Sequence, residues 1–538
     1  MDDKKPSDLT DARSVDHEVG IIAEPAEGQY WRSISHRQIH VISLGGQIGA
    51  GLFISTGKNL RDGGPGGMLL GFLMVCSCVW CLHQTVSEMT ISFPISGNFI
   101  SYANRFVDPA LAFAAGVSMW LGWTAVVAAE ATFFSVIVNY WAQDSVPDAV
   151  WYTVFLVVMI GIFLLPSRWF AWFEYLTAIL KVLALVIFII TGFAIVVGAG
   201  PRGYVHHGET WENGLAFKNG FKGFSNSVLL AILAIGDNTF TGFLAGEAES
   251  PRYSVAHAAF VIPVRVTTIY SICCIFIGLL VSPNNESLFG GSGIAASPFV
   301  IAIDLAGIPG LPHLLNVVIL FAVSSIGAES IFVASRIIRS LSHERVIPSW
   351  ISRIDSRGRP RGAIAITIVG AIALTYCNLS AGGITVFNWL AQIASTGYFM
   401  VWVVVAITSF RFRAALRAQD DPLFRQVHAW SCDWWPFPPI WLLLCCAFYT
   451  GCSVYLGLYP IGTNSPSAYS FFQYTIGIIL ILASGIGYKL ICRSKLQDPK
   501  TADLQTGRRP LSDGEIVALD EYNRLSPWRK FGSMVQLW

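Results

Sequence analysis

The sequence predicts an all-α polytopic membrane protein with about twelve transmembrane helices, of which the first and the sixth are broken. Three observations lead to this fold class. Of the 538 residues, 54% are hydrophobic and only 13% are charged, whereas a soluble domain has about 25% charged residues. Long apolar runs recur along most of the chain with no polar domain between them. Two of these runs contain polar, glycine-bearing interruptions.

The individual spans follow from the roughly 20 apolar residues that a helix needs to cross a bilayer. The ninth run is short and the sixth is interrupted, so these two have the least sharply defined limits. The predicted spans lie near residues 40–60, 67–91, 110–138, 149–165, 175–199, 228–248, 258–281, 313–338, 362–377, 386–410, 438–458 and 471–492. We therefore expect an N-terminal tail at 1–36, a transmembrane domain at 37–493 and a C-terminal tail at 494–538.

The distribution of Arg and Lys predicts the orientation of the spans, because short cytoplasmic loops collect positive charge. The loops after the eighth and tenth spans are rich in arginine, whereas loops 283–311, 378–385 and 459–470 on the opposite side contain neither Lys nor Arg. The arginines are Arg336, Arg339, Arg345, Arg353, Arg357, Arg359, Arg361, Arg411, Arg413, Arg417 and Arg425. Both termini are thus predicted to be cytoplasmic.

Composition and motifs also argue against several classes of function. The formal net charge of +1 offers no bulk attraction for nucleic acid. No Cys-x-x-Cys pair has a matching partner, so the eleven cysteines predict neither a zinc site nor a disulfide framework. No His-Glu-x-x-His motif occurs, and the acidic residues of the apolar runs lie on separate runs. We expect no enzyme, no metal and no cofactor.

The first interruption, in the stretch SLGGQIGAGLF at 43–53, has two interpretations. Its four glycines could let helices pack closely, since Gly45 and Gly49 have the GxxxG spacing. They could instead mark a helix that unwinds in mid-membrane, where bare backbone is tolerated only around a protein-lined or watery cavity. The second interruption favours unwinding, because Gly236 to Thr239 stand in the middle of the sixth run.

Paired interruptions at corresponding places of two halves indicate a transporter's binding site. Spans one to five and six to ten would then be inverted repeats, with spans eleven and twelve outside them. Backbone N–H groups near Ile48 to Gly51, helped by a half-helix dipole, would receive a carboxylate. Exposed carbonyls of both broken spans would receive an ammonium group. A ligand that carries both groups is an amino acid.

Ionisable residues inside spans are rare and usually functional. They include Glu88, Glu130, Lys181, Asp237 and Glu329. Glu88, like Glu174, lies near the end of a span, where facing water is the simpler interpretation. Glu130 has apolar neighbours, so its expected partner is the substrate or a Trp or Tyr donor. Lys181 either snorkels to the interface or exchanges a proton, since burial disfavours the charged form.

Several stretches together resemble the fungal amino-acid permeases, the yeast amino-acid transporter family of the amino acid–polyamine–organocation superfamily. They include GGQIGAGLFISTG, EYLTAILKV, GEAESPR, RGRPRGAIAIT, VFNWL and ADLQTGRR, and the likeness extends from about 36 to 510. The resemblance implies a LeuT-type fold with a 5+5 inverted repeat. It also implies proton-driven amino-acid uptake across the plasma membrane by alternating access.

The resemblance also implies roles for individual residues. Substrate binding falls on Ile48, Gly49, Ala50, Gly51, Leu52, Glu130, Ile235, Gly236, Asp237, Asn238 and Thr239. Proton coupling falls on Lys181, with Glu130 and with Ser325 of span eight as its neighbour. This chain departs from the family where relatives carry Gly-x-Glu in span six and Asn-Ser in span eight. Asp237 and Glu329 could pair with a cationic substrate, or could be protonated and merely packed, so the sequence does not identify the amino acid.

Two other functions remain open at this level. The extra acids would suit a permease for polyamines or other organic amines. An amino-acid sensor without flux is the second, although its relatives tend to have long cytoplasmic extensions and the tails here are ordinary. The tails, including Lys4 and Lys5, are candidate contacts for ubiquitin ligases and trafficking factors.

Overall fold

The structure, a computed structural model, describes residues 45–530 except 47, 50, 95–97, 144, 166, 237–238, 240–250, 290–295, 356–358, 380–382, 427, 463–464, 512 and 527. Apart from two isolated bridges, Val197 with Val205 and Leu288 with Ala296, the regular structure of these residues is helical. The predicted N-terminal tail, 1–36, lies outside the described residues. Nine of the eleven cysteines are buried, and Cys377 and Cys492 are exposed.

Fourteen main helices follow one another along the described chain. They are α1 (Gly51–Ser92), α2 (Asn98–Phe106), α3 (Pro109–Ala142), α4 (Asp148–Leu164), α5 (Ser167–Val196), α6 (Gly220–Ile235), α7 (Pro251–Leu280), α8 (Pro298–Leu305), α9 (Leu311–His343), α10 (Arg361–Cys377), α11 (Gly383–Ala418), α12 (Phe437–Leu458), α13 (Ala468–Cys492) and α14 (Asp513–Arg524). Within the described residues, eight helices are long and apolar enough to cross a membrane, and α4, α6 and α10 are shorter apolar helices. The chain is therefore a multi-pass membrane protein. An apolar α-helix can cross a bilayer because its backbone N–H and C=O groups are paired within the helix.

Helix α1 contains most of the first two predicted spans. Its 42 residues would extend about 63 Å as one straight helix, roughly twice the thickness of the hydrocarbon core. Gly64 interrupts it with φ +73° and ψ 169°, directly before Pro65. A Cβ atom at Gly64 would lie 2.1 Å from the carbonyl oxygen of Leu215. The two spans thus meet in a tight turn and not in a separate loop.

Packing brings together helices that stand far apart in the sequence. Helix α1 packs along α6 and α7, while α3 packs along α9 and α11. Short α2 lies at one end of this assembly, where Ser101 and Asn104 donate hydrogen bonds of 2.6 and 2.7 Å to the carboxylate of Glu344 after α9. The resulting core runs continuously through the described helices and surrounds the two interrupted spans.

The C-terminal segment packs against the end of the bundle at which α1 and α11 finish. The backbone N–H of Gln497 donates to the Val107 carbonyl at 2.8 Å. Nη1 of Arg508 donates to both carboxylate oxygens of Asp421, to Oδ2 at 2.8 Å and to Oδ1 at 3.0 Å. Further along this segment, the stretch DGEIVALDEYNR forms helix α14. Residues 494–511 are therefore bound to the transmembrane helices through their backbone as well as their side chains.

Candidate functional site

Among the described residues, the backbone departs from regular α-helix at the position that the glycines of the first span predict. Ile48 and Gly49 lie in bends outside the helix, and α1 begins at Gly51 with a π-helical turn. The Ile48 N–H donates to the Gly45 carbonyl at 3.1 Å. The N–H groups of Leu52 and Phe53 share the Gly49 carbonyl, at 3.0 and 3.1 Å. Ala50 lies outside the described residues.

The same glycines also allow close packing, so both interpretations of the glycine-rich stretch describe this segment. A Cβ atom at Gly49 would lie 2.5 Å from Cγ1 of Ile326 in α9. At Gly51 it would lie 2.4 Å from the Cα of Ala234 in α6. Distances this short are incompatible with any larger residue unless a neighbour moves. The break and the close helix contacts therefore depend on the same small residues.

The second interruption begins where α6 ends. Ile235 is the last helical residue, and Gly236 follows with φ +73°, a conformation that favours glycine. The hydroxyl of Tyr270 donates to the Ala234 carbonyl at 2.7 Å, which satisfies one of the last acceptors of the helix. Thr239 is buried, and its carbonyl accepts a hydrogen bond of 2.9 Å from Asn98 in α2. Asp237 and Asn238 lie outside the described residues.

A small cavity of about 40 Å³ lies between the two interruptions. It is lined by glycines of the first break, the end of α6, and residues of α3, α9 and α11: Gly46, Gly49, Gly51, Trp123, Val126, Ala129, Glu130, Phe133, Leu233, Ala234, Ile235, Gly236, Ile326 and Tyr398. Of the predicted binding residues, Gly49, Gly51, Glu130, Ile235 and Gly236 meet here. Ile48 and Leu52 are instead packed in the hydrophobic core.

Two buried polar atoms of α3 belong to this cavity wall. Glu130 is 4% exposed, and its Oε2 has no hydrogen-bond partner within the described part of the chain. Nε1 of Trp123, two helical turns earlier, is likewise without a partner there. Burying such groups unpaired is costly unless something else pairs with them. An acid and an N–H donor therefore line a mainly apolar cavity.

Lys181 lies at the centre of the structure and does not reach the interface, so snorkelling is excluded. Its side chain is fully buried. Nζ donates one hydrogen bond to the Gly45 carbonyl and another to the Ser325 hydroxyl, both at 2.9 Å. The amine thus joins α5 to the start of the first break and to α9.

Glu174 is a site residue that the sequence analysis missed. We expected it to face water, which is wrong: it is 1% exposed, and its Oε2 accepts a hydrogen bond of 2.8 Å from the Ser325 hydroxyl. Glu174 and Lys181 are seven positions apart, which is about two helical turns and puts both on one face of α5. That spacing was the signal that could have identified it.

Glu329 adds a further acid next to the first break. It is 2% exposed, and a Cβ atom at Gly46 would lie 2.3 Å from its Oε1. Glu174 is linked to Lys181 through the Ser325 hydroxyl, and Glu130 shares a cavity wall with Gly46. One buried amine and three buried carboxyls, from α5, α9 and α3, therefore surround the start of the broken span.

Comparison with known proteins identifies the family to which this arrangement belongs. A family model described as "Amino acid permease" matches residues 38–500, well over half of the chain. The chain belongs to the amino acid permease family. Its members are transporters and not enzymes, which agrees with the expectation from the motifs.

Individual relatives cover nearly the same length. Amino-acid permease GAP3 of Candida albicans is 33% identical over 491 residues, which are 90% of this chain and 80% of that protein. General amino-acid permease GAP1 of Saccharomyces cerevisiae is 33% identical over 525 residues, 94% of this chain and 84% of that protein. S-adenosylmethionine permease GAP4 of Candida albicans is 33% identical over 497 residues, 90% of this chain and 79% of that protein.

Proposed function

We propose that this permease takes up an amino acid across the plasma membrane by proton-coupled alternating access. One observation carries the proposal. The cavity between the interrupted spans contains Glu130, and the first break is hydrogen-bonded through Gly45 to the buried amine of Lys181. A substrate site and an ionisable group are thus linked through the same segment of backbone.

Substrate recognition would use both breaks. The segment from Ile48 to Leu52 would receive the carboxylate on backbone N–H groups at the start of α1, where the helix dipole favours an anion. The carbonyls around Ile235 to Thr239, at the end of α6, would receive the ammonium group. Glu130 would contact the substrate from α3. The support is that Gly49, Gly51, Glu130 and Gly236 line one cavity.

Proton coupling would use Lys181 and Ser325. An ammonium group donates stronger hydrogen bonds than a neutral amine does, so loss of its proton would weaken the bond to the Gly45 carbonyl. The protonation state of Lys181 would then set how firmly the first break is held against α5. Movement of that segment between two positions is what alternating access requires.

The proposed architecture is twelve spans in a LeuT-type 5+5 inverted repeat, with both termini cytoplasmic. Packing supports it, because α1 contacts α6 and α7, and α3 contacts α9, which are the pairs that two such repeats would place together. We propose the boundaries 37–493 for the transmembrane domain. We also propose that the flanking tails receive ubiquitin ligases and trafficking factors.

A second candidate is a carrier for a cationic amino-acid derivative. It is favoured by Glu329 beside Gly46 and by the relative that is an S-adenosylmethionine permease. A buried acid beside the substrate site would pair with a cationic group in a low-dielectric environment. A polyamine or another organic amine is less well supported, because the predicted carboxylate receptor in span one would then have no ligand.

The test is uptake of a labelled amino-acid mixture into vesicles that contain the purified protein, driven by an inward proton gradient. We expect accumulation that collapses when a protonophore is added, and separation of the mixture then identifies the substrate. No uptake of any component by correctly folded protein would contradict amino-acid transport. It would favour an amine carrier or a sensor without flux.

A further inference from the structure

We propose that Glu174 is the proton partner of Lys181 and that the Ser325 hydroxyl relays the proton between them. This inference rests on the proposed role of Lys181 in proton coupling and adds a residue to it. The relay links two residues of α5, Glu174 and Lys181, through Ser325 of α9, next to the first break. Its members are Glu174, Ser325 and Lys181, with the Gly45 carbonyl as the point of contact with the broken span.

The hydrogen-bond geometry suits a relay. Ser325 Oγ accepts from Lys181 Nζ at 2.9 Å and donates to Glu174 Oε2 at 2.8 Å. A hydroxyl is both donor and acceptor, so one serine can pass a proton on without moving. Among the described residues Lys181 has no direct ion pair, which leaves Ser325 as its hydrogen-bonded connection to a carboxylate.

Burial separates this relay from bulk water. Lys181 and Ser325 are fully buried, and Glu174 is 1% exposed. The second oxygen of Glu174, Oε1, has no hydrogen-bond partner in the part of the chain that the structure describes. A carboxylate held by one neutral donor is poorly compensated. Glu174 can therefore accept a proton more readily than a carboxylate that lies against an arginine.

The step balances as follows. An N–H bond of the Lys181 ammonium breaks and its proton passes to Ser325 Oγ, while the hydroxyl proton of Ser325 passes to Glu174 Oε2. The charged pair becomes a neutral amine and a neutral carboxylic acid. The neutral amine holds the Gly45 carbonyl less strongly than the ammonium does.

Glutamine at position 174 separates a proton-carrying role from a structural one. Glu174→Gln keeps the size of the side chain and an oxygen that accepts from Ser325, but it cannot take up a proton. A purely structural hydrogen bond would survive this substitution. Ser325→Ala breaks the relay in the middle, and Ser325→Thr keeps a hydroxyl there. Ser335→Ala is the matched control, since Ser335 is buried in the same helix and its hydroxyl donates to the Phe332 carbonyl, at 2.8 Å.

The experiment uses the full chain in liposomes and measures two quantities with the labelled amino-acid mixture. One is the initial rate of proton-driven uptake as a function of pH, and the other is counterflow exchange, which needs no net proton movement. In Glu174→Gln and Ser325→Ala we expect proton-driven uptake to fall about 100-fold with a flattened pH profile. Counterflow should stay close to wild type, Ser325→Thr should recover uptake, and Ser335→Ala should behave as wild type.

Two results would overturn the inference. The first is an unchanged rate and pH profile in Glu174→Gln while Lys181→Ala abolishes proton-driven uptake, which would leave the proposed function intact. The second is a loss of counterflow equal to the loss of uptake in both Glu174→Gln and Ser325→Ala, which indicates general damage. Full proton-driven uptake in Lys181→Ala would instead contradict the proposed function itself.

Discussion

Two buried glutamates near the ends of spans, Glu88 and Glu174, are each 1% exposed, yet they have opposite surroundings. The Glu88 carboxylate meets the Arg413 guanidinium directly and also accepts from the Cys432 N–H at 3.3 Å. Arg413 in turn lies over the rings of Phe424 and Trp435, 4.5 and 4.8 Å from their centroids. Within the described residues the Glu174 carboxylate accepts a single hydrogen bond, from the Ser325 hydroxyl.

The difference distinguishes a buried acid that stabilises the fold from the buried acid that we propose to exchange a proton. A carboxylate that directly contacts a guanidinium and also accepts from a backbone N–H is held by strong partners, and breaking such a pair is strongly destabilising. A carboxylate with one neutral donor remains free to gain a proton. Burial alone, which is the same for both residues, therefore does not identify the functional acid; its partners do.

Replacing the amine should have the largest effect on transport. Lys181→Ala removes the group that holds Gly45 and Ser325, so we expect proton-driven accumulation to be abolished while equilibrium binding of the amino acid survives. Uptake and binding are measured on the same liposome preparation. Wild-type accumulation in this variant would show that the buried amine has no part in coupling.

Breaking the Glu88 pair should have the largest effect on stability. Glu88→Ala leaves the partly buried Arg413 without its carboxylate, and we expect a loss of about 3–5 kcal/mol of stability. The midpoint of thermal unfolding in detergent measures this, with Glu174→Gln as the comparison that should change it little. Equal destabilisation by the two substitutions would remove the distinction drawn between them.

Placing a larger side chain at the first break should have an intermediate effect, and we expect it to reduce amino-acid binding. Gly49→Val would drive its side chain into Ile326, whose Cγ1 lies 2.5 Å from the position of a Cβ atom. Overpacking of this kind costs about 1–3 kcal/mol, and we expect amino-acid binding to be lost.

A double variant provides the control for that prediction. Gly49→Ala combined with Ile326→Ala makes room for the added methyl group and should recover stability relative to Gly49→Ala alone. Isothermal binding of the labelled amino acid and thermal unfolding report the two effects separately. Full affinity in Gly49→Val would exclude the backbone at this position as a receptor.

The smallest expected effect concerns Asp108, which precedes α3 and caps it by accepting from the Ala110 N–H at 2.8 Å. Burial raises the pKa of Asp108, but hydrogen bonds from Lys489, Ser494 and Ala110 outweigh it, so the pKa lies below its usual value. Since the folded pKa is depressed, this stabilisation is present above the unfolded value of about 3.9 and is lost as the pH falls through the folded pKa.

Asp108→Asn keeps a good cap and removes the charge. We expect it to lower stability near neutral pH by less than about 1 kcal/mol. The difference from wild type should shrink as the pH falls below about 4, which thermal unfolding between pH 7 and pH 3 measures. A difference that stays constant over this range would mean that the charge of Asp108 does not contribute.

Local sequence signals predicted much of the membrane region. The apolar runs indicated most of the described helices. Gly49 and Gly236 indicated positions at which the described backbone departs from α-helix, because glycine and polar residues in an apolar run have a direct physical cost. The turn at Gly64 was harder to predict from the sequence. The apolar runs predicted a short connection between spans 40–60 and 67–91, whereas a single positive-φ glycine before Pro65 joins them.

The link from Lys181 to Glu174 could not be predicted from one sequence. Ser325 is separated by 144 residues from Lys181 and by 151 residues from Glu174. Helical periodicity puts Lys181 and Glu174 on one face of α5, but it does not say which helix faces them. Tertiary packing decides that, and it also decides that Glu174 is buried instead of facing water.

The most direct test of the account is proton movement caused by the amino acid itself. Liposomes that contain the protein and a trapped pH indicator would receive the identified amino acid with no imposed gradient. If uptake is coupled to protons through Lys181, the interior becomes more acidic during uptake in the wild type and does not in Lys181→Ala. Amino-acid entry with no change in internal pH would contradict proton coupling, whatever the structure of the buried amine.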